Sequence, residues 1–278
     1  MNLYYAIGGG LGHLTRARAF LHTFGIEKDL AILTASEFAA DKRVVGDIEI
    51  ISVDKDFAQN QIAYREFLKK IFSESSVETL FLDAFPVGII GEFCDFDFGP
   101  TEVFYVARLL KWNNYVHLLH GKIPRFKQTF VLETLEDKHQ KFIDKHSAAQ
   151  IGIELKYPHI PTLDEKLIQK ILAEQLPFWL IVHAGSDEET NELFNFAQEM
   201  REIENAKVNL VLVSPNDSAI SDCHNIYPAS ALFRSATRIF TAGGFNAIAQ
   251  TKDFRGKHFA VPFARRFDDQ FARVSRLR

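Results

Sequence analysis

Short apolar runs, each followed by a helix-like stretch, set the tightest limit on what this chain can fold into. In the first half the runs lie at residues 3–7, 30–34, 48–53, 79–84 and 102–107. Several are hydrophobic without alternation, as strands buried on both faces of a parallel sheet are. Residues 13–24 and 59–73 carry the helical period. The second sets Ile62, Phe67 and Ile71 among lysines and glutamates, the pattern of an amphipathic surface helix. The alternation predicts an α/β fold with an open parallel sheet.

The pattern fades between residues 109 and 157 and then restarts. Strands are expected at 178–183, 208–213, 238–241 and 258–261, and helices at 188–204, 229–235, 247–251 and 268–276. Residues 156–161 include Pro158 and Pro161 and read as a linker. At ~150 residues per domain, the 278 residues make about two domains, 1–155 and 156–278. The expected architecture is two Rossmann-like domains facing across a cleft, with the cleft as the ligand site.

Charge and composition exclude several classes. The formal net charge is −4, whereas nucleic acids and anionic membranes favour a basic surface. No apolar run reaches the ~18–20 residues that span a bilayer, and the start lacks a basic segment leading into a signal core. Cys94 and Cys223 give neither a disulfide framework nor a zinc spacing, so a reducing cytoplasm is expected. The 26 phenylalanines promise a large core and specify no ligand.

Three glycine turns are expected at carboxyl ends of strands, the edge where open α/β sheets bind ligands. Gly8-Gly9-Gly10-Leu11-Gly12-His13 follows the first strand. Its glycines allow positive φ and a close backbone approach, and the helix that follows offers free N–H groups to an anion. No Lys-Ser or Lys-Thr follows, so this is not the phosphate loop of nucleotide hydrolases, and the glycines lack the dinucleotide spacing. What sets the turn apart is His13 at the helix entry. Ala184-Gly185-Ser186 and Thr241-Ala242-Gly243-Gly244-Phe245-Asn246 are the other two turns.

These residues resemble GT-B glycosyltransferases, nearest to the bacterial enzyme that adds N-acetylglucosamine to the lipid-linked peptidoglycan precursor and to its uncharacterised relatives. Gly8 to Arg16 is similar to that family's first loop. Gly243-Gly244-Phe245-Asn246 through Gln250, then Val261-Pro262-Phe263 and Asp269-Gln270, is similar to its donor-binding segment.

The resemblance implies a metal-independent, cofactor-free enzyme that moves a sugar from a nucleotide diphosphate, with uridine as the base, to a hydroxyl acceptor. His13 would deprotonate the acceptor, and Asp83 would orient it by accepting from its other ring nitrogen. Ser186, with the Gly243 and Gly244 backbone, would hold the diphosphate of the donor, and Gly10, Gly12 and Gly185 would also bind the nucleotide sugar. Phe245, Asn246, Gln250, Asp269 and Gln270 would complete the donor site, and Glu92 would face the acceptor.

Two departures bear on activity. Gln250 stands where the family places a ribose-gripping Glu, losing charge-assisted strength. The chain also stops soon after Gln270, where relatives continue into a last helix, so the second domain is expected without it. They leave two alternatives: a nucleotide-sugar hydrolase in which His13 activates water, and a non-catalytic nucleotide-binding relative. Peripheral membrane contact through residues 85–90 is expected only for a lipid acceptor. Asp95-Phe96-Asp97 has metal-motif spacing but no third ligand nearby, and His117 with His120 lacks one too. Arg265 and Arg266 read as surface cations.

Overall fold

The computed structural model describes residues 1–28, 30–160, 164–216, 220 and 223–277. The chain forms two compact units, Met1–Pro158 with Arg266–Asp269, and His159–Arg265 with Gln270–Arg278. Residues 156–160 carry no regular structure, and Pro161 lies outside the described residues.

The first unit is built on seven parallel strands. They are β1 (Asn2–Tyr5), β2 (Leu30–Thr34), β3 (Glu49–Ser52), β4 (Thr79–Asp83), β5 (Glu102–Ala107), β6 (Gln128–Val131) and β7 (Gln150–Gly152), in the order β3-β2-β1-β4-β5-β6-β7. Helices α1 (Leu11–Phe24), α2 (Lys42–Val45), α3 (Gln61–Glu74), α4 (Trp112–Tyr115) and α5 (Asp137–His146) belong to it. β1 lies between β2 and β4, with Tyr4 in register with Ile32 and Phe81. Leu3, Tyr4 and Tyr5 are accordingly fully buried.

Successive strand residues point to opposite faces, and here both faces are aromatic. Tyr4 meets Phe81 and Phe20 on one, where Phe81 lies 5.1 Å from Phe104 and Phe20 lies 5.2 Å from Phe130. Tyr5 meets Phe93 at 4.9 Å on the other, beside Phe96 and Phe98. Part of the phenylalanine content thus packs against the two faces of this sheet.

The second unit has five parallel strands, β8 (Phe178–Val182), β9 (Asn209–Val213), β10 (Cys223–His224), β11 (Arg238–Ala242) and β12 (His258–Val261), in the order β10-β9-β8-β11-β12. Its helices are α6 (Glu165–Leu172), α7 (Asp187–Ile203), α8 (Phe245–Gln250) and α9 (Gln270–Ser275). This winding repeats the first five positions of the other sheet. In each, strand order reverses beside the first strand, between β1 and β4 and between β8 and β11. Such reversals open a crevice at the carboxyl ends of the strands.

The structure fills the stretch where the sequence pattern faded. β6, α5 and β7 lie there, and β7 is exposed throughout. In α5 only His139 and Ile143 are buried, one turn apart, too thin a stripe to read as a helical period. Residues 229–235, expected to be helical, contain only a short 3-10 turn at Ala229–Leu232.

Candidate functional site

The reversal between β1 and β4 brings together the loop that opens α1 and the end of β4. α1 starts after Gly10 with no side-chain cap and no acidic residue in its first turn. The positive φ expected of the glycines before it is not used. None of Gly8, Gly9 and Gly10 takes a positive φ, but a Cβ on Gly8 would run into the His13 ring. Gly8 is therefore the seat of the imidazole, and Gly10 and Gly12 are exposed.

His13 and Arg16 lie three residues apart and share a face of α1. Arg16 is 3% exposed and Asp83 fully buried. Arg16 Nε donates to Asp83 Oδ1 at 2.7 Å and its Nη2 to Oδ2 at 2.8 Å. The same Nη2 lies 3.1 Å from His13 Nδ1, while Asp83 Oδ2 is 3.9 Å from Nδ1. The expected direct bond from His13 to Asp83 is thus replaced by a contact through Arg16. The cause is geometric: a guanidinium matches a carboxylate in a two-bond fork that one imidazole nitrogen cannot offer. Sequence reading missed this role for Arg16, although its spacing from His13 placed both on one helical face.

Burial holds the His13 imidazole well below its ordinary pKa, aided by the Arg16 and Arg108 guanidiniums and opposed by Asp268. The ring is neutral at pH 7. Arg108, next after β5, pairs with Asp268, and Lys111 N donates to Phe267 O at 2.7 Å. The segment Arg266–Asp269, including the predicted donor residue Asp269, therefore clusters with the first unit.

Glu92 requires a correction. It is 0% exposed, and its carboxylate accepts from the Tyr5 hydroxyl and from the amides of Ile89 and Ile90. Burial raises its pKa despite those bonds. Glu92 faces inward and holds the loop after β4; it does not face an acceptor.

In the second unit, Gly185 and Ser186 stand between β8 and α7. Ser186 Oγ accepts from Glu189 N at 3.4 Å, and Asp187, Glu188 and Glu189 fill the first turn. Glu189 also pairs with Arg265 and lies 3.0 Å from His183 Nε2. A Cβ on Gly185 would strike His183 and Glu189. The first turn of α7 thus carries three carboxylates beside Ser186, which disfavours a further anion there, and Arg265 is half of an ion pair.

The turn after β11 has the opposite character. α8 begins after Gly244 with no side-chain cap and no acid in its first turn. Gly243 is packed against Val274 and Gln270, and its carbonyl accepts from Arg273 Nη1 at 3.0 Å. Phe245, Asn246 and Gln250 are partly exposed on α8. Gln270 is 4% exposed, and its side chain accepts from Phe263 N at 3.0 Å. It braces the backbone after β12 and does not reach outward to a donor.

Asp95 ties its loop to a distant one by accepting from Lys122 N, and Asp97 shapes a local turn by accepting from Gly99 N. Among the described residues no group of three His, Cys, Asp or Glu is placed to hold a metal ion. No described helix is long and apolar enough to cross a membrane.

No family model matches the chain, and no curated protein matches it. Solved structures do. A glycotransferase of kitacinnamycin is 14% identical, with a TM-score of 0.58 over 99% of this chain and 83% of its own. Arabidopsis thaliana UGT89C1, complexed with UDP, is 10% identical, with a TM-score of 0.57 over 99% and 82%. A candidate UDP-N-acetylglucosamine 2-epimerase from Listeria monocytogenes is 11% identical, with a TM-score of 0.54 over 98% and 81%. Together with the two matching sheet orders, these likenesses show that the chain has the GT-B fold, two Rossmann-like domains in one polypeptide.

Proposed function

We propose that this protein binds a nucleotide diphosphate sugar, with UDP as the nucleotide, and transfers its glycosyl group to an acceptor. The observation that carries the reading is the neutral His13 at the β1/β4 reversal, set on Gly8 and backed by the Arg16–Asp83 pair. A partly exposed imidazole at the carboxyl edge of a parallel sheet lies where ligands of such sheets bind. In the second unit, the turn after β11 and the start of α8 are the better candidate for the diphosphate, because no carboxylate occupies that first turn. The fold supports the same class of ligand, since one of the similar structures was solved with UDP.

A second reading, nucleotide binding without turnover, is favoured by one feature. Both Asp83 oxygens are engaged by Arg16, so His13 lacks the acidic partner that would prepare it as a base.

The test is UDP release from UDP-glucose and UDP-N-acetylglucosamine, with products analysed with and without an alcohol acceptor. The proposal expects acceptor-dependent UDP release that His13→Ala abolishes. Free sugar formed without acceptor would instead make the protein a hydrolase. UDP binding with no release from either sugar nucleotide would establish the non-catalytic reading.

A further inference from the structure

Arg16 determines where the His13 proton resides. A guanidinium has donors and no acceptor, so in the 3.1 Å contact of Arg16 Nη2 with His13 Nδ1 the nitrogen lone pair accepts. The two hydrogens of Nη2 then have one partner each, His13 Nδ1 and Asp83 Oδ2, while Nε–H takes Asp83 Oδ1. A neutral imidazole carries a single ring hydrogen, which the Arg16 contact confines to Nε2.

We propose that Arg16 is a positioning residue that locks His13 as the Nε2–H tautomer, so that His13 serves its substrate as a hydrogen-bond donor to an anionic oxygen and not as a base. This rests on the reading that the β1/β4 edge is a substrate site. Asp83 does not reverse the lock, because both its oxygens are held by Arg16 and the nearer lies 3.9 Å from Nδ1. His13 Nε2 has no hydrogen-bond partner among the described residues, yet it is not among the enclosed, unpartnered atoms. The His13 side chain is 17% exposed and so not sealed from solvent.

The surroundings favour negative charge there. The first turn of α1 holds no acid, and the Arg108 guanidinium acts on the ring, balanced in part by Asp268. Hydrogen bonds to an ionised acceptor are roughly twice as strong as neutral ones. The oxygen can belong to a phosphate of the donor or to an acceptor that arrives already ionised, such as a carboxylate. An ionised acceptor needs no base, which agrees with an imidazole that offers none.

Histidine labelled with 15N in the full chain, observed by long-range 1H–15N correlation near neutral pH, reads the tautomer directly. His13→Gln assigns the signals by their loss. The expected wild-type result is an unprotonated Nδ1 and a protonated Nε2; a protonated Nδ1 overturns the proposal. Arg16→Met releases Asp83 to accept from Nδ1–H, so the pattern should invert. Should that variant not fold, the wild-type spectrum alone decides.

Titration with inorganic pyrophosphate and, separately, acetate then separates phosphate from carboxylate as the partner. A shift of the His13 Nε2–H signal with one of them is expected, and no shift with either overturns the donor role. In UDP release, His13→Gln retains a side-chain N–H and should stay within about tenfold of wild type, whereas His13→Ala should lose about a hundredfold. Equal loss in both overturns the donor role. Absence of UDP release in wild type counts against the transferase reading and leaves the spectroscopic result standing.

Discussion

The two sheets wind alike, yet the turns at their reversals are charged in opposite ways. After β1, the chain enters α1 with no acid in the first turn, and Arg16 and Arg108 lie close to His13. After β8, the chain enters α7 through Ser186 and three successive acids, one of them paired with Arg265. Both turns have glycines and both open a long helix, so both look ready for an anion in sequence. Only the first keeps its helix start clear of carboxylates. A strand–glycine–helix turn fixes where backbone N–H groups point, and the side chains of the next turn decide whether an anion is welcome.

The sharpest test of this contrast removes one carboxylate from each edge. Asp83→Ala leaves the Arg16 guanidinium buried without its partner and should cost about 3–5 kcal/mol of stability. Glu189→Ala removes a partly exposed carboxylate and should cost about 1 kcal/mol. Chemical denaturation of both variants checks the ranking, and equal losses would break the comparison.

A separate effect should appear with pH. Burial lowers the pKa of His139 to about 3 and that of His258 to about 4, each aided by an arginine, from an ordinary 6.5. His13 is lowered as well. Below pH 6.5 the unfolded chain takes up protons that these folded imidazoles refuse. Their contribution is therefore complete above 6.5 and is lost as pH falls towards 4 and 3. Each histidine contributes a slope of up to about 1.4 kcal/mol per pH unit. Denaturation midpoints measured from neutral pH down to about 5 should fall, and His139→Gln should flatten the slope.

Much of this fold could be read from the sequence because its central strands are buried on both faces. The β2 and β5 bounds match the apolar runs at 30–34 and 102–107 residue for residue. The elements that escaped are those whose stabilising contacts leave little trace in hydropathy. β7 is an exposed edge strand of three residues, and α5 buries two side chains. The site was legible as a place and not as a set of contacts. His13 and Asp83 do meet at one crevice, but the ring's partner is Arg16, which periodicity cannot tell from a surface cation. Glu92 and Gln270 read as residues facing an acceptor and a donor, and both are buried with side chains that accept from backbone amides.

Thermal unfolding with UDP, GDP, dTDP and CMP reads nucleotide binding by itself, since it requires no acceptor. A nucleotide present at ~100 times its dissociation constant adds about 2.7 kcal/mol to the folded state. A selective rise in Tm with UDP is expected. No rise with any of the four would contradict a nucleotide diphosphate site in this protein.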